Sequence, residues 1–290
     1  MISQNLLNRY ERDLALKGFS PRTRNTYYRN LIYFFKHTSD EPDRITGEII
    51  KDYLYHLIKD KKLSPSSLRQ ARSAITYFFK QTMNRPIEVE NIPCQIKQRR
   101  LPTVFSVDEV AAVINSTENL KHKTMLMLAY SSGLRVGEIV ELKVTDIRRD
   151  IMRLNVRQAK GHKDRYTILS ETCLTQLEKY WKSYKPENWL FNGKKRGTQI
   201  STRAVQHAFE KAKKTAGIKK QGGIHTFRHS FATHSLEAGG GLFQLQKFLG
   251  HKHLSTTLVY AHISAENIIA QSPLDVYKDR FLYAETKTDN

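Results

Sequence analysis

Two cysteines in 290 residues, Cys94 and Cys173, are too few for a disulfide framework or a cysteine-rich zinc site. They fit a chain that works in a reducing compartment. Long apolar runs are missing as well. The best, residues 125–130, falls far short of the ~20 residues that cross a bilayer. Near the start, Arg9, Glu11, Arg12 and Asp13 stand where a secretory signal needs its apolar stretch, so export by that route is not expected. With 14 glycines and 8 prolines the chain is neither collagen-like nor low-complexity. These absences lead us to expect a soluble, cytoplasmic protein with no membrane partner.

Acid is scarce too, and here the deficit is informative. Lys and Arg number 48 against 28 Asp and Glu, a net charge of +20. Small soluble domains typically carry about 2–8. The excess is +9 over residues 1–100 and +11 over the rest, so it is no basic tail. A polyanion is the natural partner, because each phosphate contact releases condensed counterions. Disorder is excluded by 13 Phe and 14 Tyr, which could not all stay solvated. A chain of this length buries roughly 75% of its unfolded surface, enough for one large core or two smaller ones.

The first 84 residues read as a four-helix domain. One helix covers 2–17 and ends before Gly18, and a second covers 21–37 behind Ser20-Pro21. A third follows Thr46, and a fourth follows Ser64-Pro65. The second and fourth are alike. Tyr33-Phe34-Phe35-Lys36 and Tyr77-Phe78-Phe79-Lys80 each place a Phe pair 13 residues after the capping proline. Two helical hairpins packed as a pseudo-repeat are expected, with the Phe pairs in the core. Arg22, Arg24, Arg29, Arg69 and Arg72 lie away from those anchors and are candidates for phosphate contact. Residues 85–104 read as an extended linker, with Pro86, Pro93, Pro102 and the basic cluster Lys97-Gln98-Arg99-Arg100. Lys97, Arg99 and Arg100 are further DNA-contact candidates.

The second domain, 105–290, opens on the capping box Ser106-Val107-Asp108-Glu109. Helices are expected to about 115, over 120–131 and from near Arg135. Alternating runs at 152–157 and 166–169 flank Lys160-Gly161-His162-Lys163-Asp164 and read as a β-hairpin. Further helices are expected at 171–183, 201–216, 226–237, 242–249 and 255–260. The fold class is therefore mainly α, with a small antiparallel sheet in the second domain.

Four separated pieces carry chemistry. Gly133-Leu134-Arg135-Val136-Gly137-Glu138 puts an arginine at a helix start, beside free N–H groups that suit an anion. Lys160 sits in the hairpin turn, where a flexible cation reaches a ligand held elsewhere. In His225-Thr226-Phe227-Arg228-His229 the spacing puts His225 and Arg228 on one helical face, with Phe227 in the core. Leu249-Gly250-His251 is followed nine residues later by Tyr260. Each piece alone is weak. Many histidines cluster here, yet no Cys or carboxylate joins them at ligand spacing, so no metal is expected. Gly239-Gly240-Gly241 lacks the Lys-Ser/Thr of a phosphate loop and reads as a connection between helices.

In order and spacing together, Gly133 to Glu138, Lys160-Gly161-x-Lys163-x-Arg165, His225-x-x-Arg228-His229 and Leu249-Gly250-His251 with Tyr260 resemble the tyrosine recombinases, or phage integrase family. The likeness covers residues 105–262, and the N-terminal helices resemble that family's SAM-like core-binding domain. The length is similar to compact Xer-like and mobile-element members. The resemblance implies a site-specific DNA recombinase that needs no metal or other cofactor. Tyr260 would attack the scissile phosphate to give a 3′-phosphotyrosine, and Arg135 and Arg228 would clamp the phosphate. Lys160 would protonate the leaving 5′-oxygen, and His225 would transfer a proton with the tyrosine. His251 would donate to the phosphate, and Glu138 would support the site. Lys163 and Arg165 count among the DNA contacts. The implied partner is double-stranded DNA with inverted-repeat core sites, bound by a homo-tetramer on two sites.

Two positions depart from the pattern: Gly241 stands where an acidic residue is usual and Phe243 where a basic one is usual. Both concern a helix cap and a DNA contact, outside the chemistry. Beyond Tyr260, apolar Ile263, Ile268, Ile269 and Leu274 suit docking on a neighbouring protomer or on the same one. Integration or resolution of a mobile element and Xer-like resolution of chromosome or plasmid dimers both stay open. So does a different class, a DNA-binding regulator that keeps the fold without catalysis.

Overall fold

The computed structural model describes residues 2–86, 101–159, 163–195 and 197–264. Lys97, Arg99, Arg100, Lys160, the side chain of Lys163 and the tail with Ile268, Ile269 and Leu274 lie outside what is described. The chain divides into two compact units between Arg100 and Leu101.

The first unit holds α1 (Gln4–Leu16), α2 (Pro21–Thr38), α3 (Gly47–Lys59) and α4 (Pro65–Tyr77). Each begins at a hydroxyl. Ser3, Ser20, Thr46 and Ser64 accept a hydrogen bond from the backbone N–H three residues on. Such a cap stabilises a helix by about 1 kcal/mol. Phe34, Phe35, Phe78 and Phe79 are all fully buried. The two pairs meet across the unit, with ring centroids 5.6 Å apart for Phe35–Phe78 and 6.3 Å for Phe34–Phe79. The aromatic pairs of the pseudo-repeat are thus core contacts. After α4 the chain makes a π-helical turn, Phe78–Thr82. Thr82 Oγ1 donates to Asp13 Oδ2 at 2.8 Å and Tyr77 OH to the Asp13 carbonyl at 3.0 Å, which ties this turn to α1.

The second unit contains α5 (Val107–Asn115), α6 (Leu120–Ser131), α7 (Val136–Glu141), β1 (Ile147–Arg148), β2 (Arg153–Ala159) and β3 (Lys163–Ile168). After these come α8 (Glu171–Tyr184), α9 (Thr202–Thr215), α10 (His225–Glu237), α11 (Leu242–Leu249) and α12 (Ser255–Ser264). The Ser106–Glu109 capping box is formed. The sheet is antiparallel in the order β1-β2-β3. The expected hairpin is β2–β3. Lys163 and Asp164, read as turn from the sequence, belong to β3 instead, and the two-residue β1 was not expected. Along β3 the faces alternate: Thr167 is fully buried, while Tyr166 is 48% exposed. Thr167 Oγ1 donates to the Ser132 carbonyl at 2.9 Å, fastening β3 to the turn after α6.

Phe105, Phe209 and Phe227 lie at the heart of the main core of this unit, packed with apolar residues of α5 to α9. A smaller cluster of Phe231, Leu236, Leu245, Leu249 and Tyr260 joins α10, α11 and α12. Tyr260 is therefore part of a packed core, which fixes the direction of its ring. No helix among the described residues is long and apolar enough to cross a membrane.

Candidate active site

The site grows from the turn between α6 and α7. Gly133 has φ +60°, and a Cβ there would lie 2.4 Å from Phe231 Cδ1, so only glycine fits. Arg135 follows in extended backbone at the N-cap of α7. An arginine cannot accept the orphan N–H groups of a helix start. Glu138 serves that end in its place. Its Oε2 accepts from the Arg135 backbone N–H at 2.8 Å and its Oε1 from Arg135 Nη1 at 2.7 Å. The same carboxylate accepts both Nη groups of Arg165, each at 2.8 Å. Arg228 Nη1 stands 3.8 Å from it. One carboxylate, 8% exposed, thus faces three guanidiniums. Burial opposes its ionisation, but the Arg165 hydrogen bonds and charge, with the Arg135 N–H and charge, outweigh that and hold it at about 2.

Arg228, on α10, is 1% exposed. It donates to the carbonyls of Gly133 at 2.6 Å and Leu249 at 2.5 Å, and its Nη2 lies 3.2 Å from His251 Nε2. Burial, and then the charge of Arg135, lower its pKa to about 9, offset in part by Glu138. The bonds to Gly133 and Leu249 fix its orientation, because each carbonyl sits at the end of a helix (α6 and α11). Gly250 ends α11 at φ +64°, against the Arg165 side chain, and so delivers His251 to the cluster.

His251 has both ring nitrogens engaged, Nε2 with Arg228 and Nδ1 with Thr257 Oγ1 at 2.9 Å. Arginine only donates, so Nε2 accepts, and the neutral ring carries its proton on Nδ1 toward Thr257. Burial and the neighbouring arginines keep His251 neutral, with its pKa pushed down to about 4. Its ring stacks on Tyr260, centroids 6.3 Å apart. Tyr260, on α12, is 4% exposed. Its hydroxyl lies 2.8 Å from His229 Nδ1. Burial raises the Tyr260 pKa, and Arg228 and Arg135 oppose that rise.

Of the residues singled out from sequence, Arg135, Glu138, Arg228, His251 and Tyr260 come together in one cluster built from α7, α10, α12 and the end of α11. His225 lies at its edge, at the start of α10, its ring edge-on to that of His229 at 4.8 Å. Burial, Arg228 and Arg135 lower the His225 pKa. The tyrosine hydroxyl meets His229, whereas the resemblance implies proton transfer through His225. His229 was not singled out from the sequence, although its position four residues after His225 puts it on the same helical face.

Arg165 is turned away from solvent. It was expected among the DNA contacts, but its side chain is 8% exposed, with Nε donating to the Phe248 carbonyl at 2.8 Å and both Nη groups on Glu138. It is turned inward because β3 alternates, and Arg165 shares the inner face with Thr167.

In the first unit, Arg22 and Arg29 are exposed, and Arg24, Arg69 and Arg72 are half-buried. Arg29 donates to Tyr33 OH at 3.2 Å. Arg69 and Arg72 join Tyr27, Tyr77 and Lys80 in lining a cleft of about 430 Å³. All five arginines sit on α2 and α4. Among the described residues no three His, Cys, Asp or Glu groups gather as a metal site.

Comparison with known proteins places the chain in a family. Residues 6–89 match the phage integrase N-terminal SAM-like domain, and residues 103–267 match the phage integrase family. A Sinorhizobium fredii protein carrying the name integrase/recombinase y4qK is 37% identical over 94% of this chain and 89% of its own. Tyrosine recombinase XerA of Pyrococcus horikoshii is 32% identical over 92% of each chain. The fold is shared with a lambda integrase tetramer bound to a Holliday junction, at TM-score 0.73 and 23% identity over 87% of this chain and 76% of that one. The chain belongs to the phage integrase family of tyrosine recombinases, enzymes that cut and rejoin DNA at specific sites.

Proposed function

We propose that the protein recombines DNA through a 3′-phosphotyrosine on Tyr260. The observation that carries this reading is the cluster itself: three sequence-distant segments bring a buried tyrosine together with two histidines and two arginines. In the reaction, Arg135 and Arg228 stabilise the charge that builds on the phosphate oxygens. Arg228 is pre-oriented by carbonyls, so little reorganisation accompanies DNA binding. His251 accepts from Arg228 in the free protein. To donate to a phosphate oxygen through Nε2 it shifts its proton, with Thr257 able to donate to Nδ1 in exchange. Glu138 and Arg165 hold Arg135 and the His251 loop. Lys160, by the family pattern, supplies the proton for the leaving 5′-oxygen. No metal enters the scheme.

The arginines of α2 and α4, with Lys97, Arg99, Arg100 and Lys163, supply phosphate contacts along the duplex. Domains of 1–84 and 105–290 joined by residues 85–104 would clamp the DNA, and a tetramer would pair two inverted-repeat sites. A role in integrating or resolving a mobile element is supported by the 37% identity to the Sinorhizobium integrase/recombinase. Xer-like dimer resolution draws support from the 32% identity to XerA over nearly the whole chain.

The test is a nicked suicide substrate with EDTA present, using DNA from the flanks of the gene and, separately, chromosomal resolution sites. We expect labelled DNA to migrate with the protein on a denaturing gel, and the effective DNA to identify the role. Binding without a covalent species on any site would leave the regulator reading in its place.

A further inference from the structure

We propose that His229 is the immediate proton acceptor for the Tyr260 hydroxyl during strand cleavage. The inference rests on the phosphotyrosine reading above and names a catalytic group beyond it.

Three histidines lie near the tyrosine. The His251 ring lies nearly parallel to that of Tyr260, 14° apart in plane and 6.3 Å between centroids, and its two nitrogens are spent on Arg228 and Thr257. His225 lies one turn earlier on α10 and meets His229 edge to face. His229 alone directs a nitrogen at the oxygen, at 2.8 Å. That distance lies within the reach a general base requires.

The environment supports the assignment. Tyr260 is a protonated phenol in the neutral range, since burial raises its pKa. The attacking oxygen must therefore lose its proton as it bonds to phosphorus. His229 is neutral before DNA binds: burial, then His225 and Arg228, push its pKa down to about 4. A neutral ring with its proton on Nε2 presents a free lone pair at Nδ1. A scissile phosphate brings negative charge to Arg228 and Arg135, and so offsets the repulsion that disfavours the imidazolium. The base gains strength when the substrate arrives, and that gain grows as charge develops on the phosphorane.

In the step, the Tyr260 O–H bond breaks and its proton passes to His229 Nδ1. The Tyr260 O–P bond forms, the P–O5′ bond breaks, and the 5′-oxygen takes a proton from the general acid. Rejoining runs the same transfers in reverse, with His229 returning the proton to Tyr260. The balance requires no other reactant.

The experiment measures single-turnover cleavage of a nicked suicide substrate by full-length protein, with DNA binding measured alongside to show that each variant is folded. His229→Ala should bind the site but cleave at least about 10²-fold more slowly, within the range for loss of a general base. Added imidazole should restore part of that rate. His229→Gln, which keeps a hydrogen bond to the hydroxyl but cannot take its proton, should stay slow. A 5′-bridging phosphorothiolate substrate, whose thiolate leaves unprotonated, should not relieve the His229→Ala defect, yet should relieve that of Lys160→Ala.

Cleavage by His229→Ala within about threefold of the wild type would overturn the proposal. So would full activity in His229→Gln, or rescue of His229→Ala by the phosphorothiolate. If the wild-type protein forms no adduct on any DNA, the phosphotyrosine reading fails first and takes this inference with it. A wild-type adduct with an indifferent His229 variant would defeat this inference alone.

Discussion

Removing Glu138 should cost more stability than removing its principal partner. In Glu138→Ala, Arg165 loses both bonds from its Nη groups and stays 8% exposed beside Arg228, which is 1% exposed. Among the described residues no other carboxylate then pairs with the three guanidiniums. At an effective dielectric of about 20, one pair of unit charges about 4 Å apart is worth ~4 kcal/mol. Breaking a buried pair from one side costs about 3–5 kcal/mol, and we expect that range here. Arg165→Met is different, because Glu138 keeps Arg135 at 2.7 Å and the Arg135 N–H at 2.8 Å. Its cost should be about 1–3 kcal/mol, the scale of lost hydrogen bonds without a stranded charge. Urea unfolding followed by tryptophan fluorescence suits the comparison. The two tryptophans, Trp181 and Trp189, both lie in the second unit, so the signal reports that unit alone. A loss below about 1 kcal/mol for Glu138→Ala, or a larger loss for Arg165→Met, would refute the electrostatic account of this cluster.

Acid titration should expose the same carboxylate. The folded pKa of Glu138, about 2, lies below its ordinary 4.5. Its contribution is therefore complete above pH 4.5 and lost as the pH falls toward 2, a change of about 3 kcal/mol. Glu138→Gln should flatten that limb in a pH series of unfolding curves. Arg228→Ala should reduce cleavage at least about 10²-fold, the effect of losing one preorganised donor, as read by adduct formation per unit time. Gly133→Ala should destabilise the second unit by about 1–3 kcal/mol, because its Cβ would meet Phe231 at 2.4 Å in a left-handed backbone; thermal melting checks this. The pair Arg69→Ala with Arg72→Ala should weaken DNA binding evenly across sequences and lower the salt slope by about 2, as measured by fluorescence anisotropy.

Much of this molecule was legible from local chemistry. Ser20-Pro21 and Ser64-Pro65 announce two helix starts, and the matched Phe pairs after them announce a shared core. The candidate site residues were legible only as a set: each piece alone is weak, and it is their order and spacing together that resemble the tyrosine recombinases. What escaped depended on tertiary partners. Arg165 looks like any basic residue near a hairpin, and its inward direction follows only from the strand's phase against Thr167. His229 stood inside the motif, but its service to Tyr260 depends on how α12 packs on α10. The two-residue β1 has no pattern of its own and exists because β2 offers it an edge. Phe78–Thr82 reads as ordinary helix, and nothing local in the sequence marks its π turn, which is joined to Asp13 through Thr82.

The most direct test of the central claim is to trap the covalent DNA adduct, digest it, and locate the modified residue by mass spectrometry. The account predicts one nucleotide-bearing peptide, modified at Tyr260 through a 3′-phosphate, formed in EDTA and absent from Tyr260→Phe, which should still bind the site. An adduct on another residue, a 5′-linkage, or undiminished cleavage by Tyr260→Phe would contradict it.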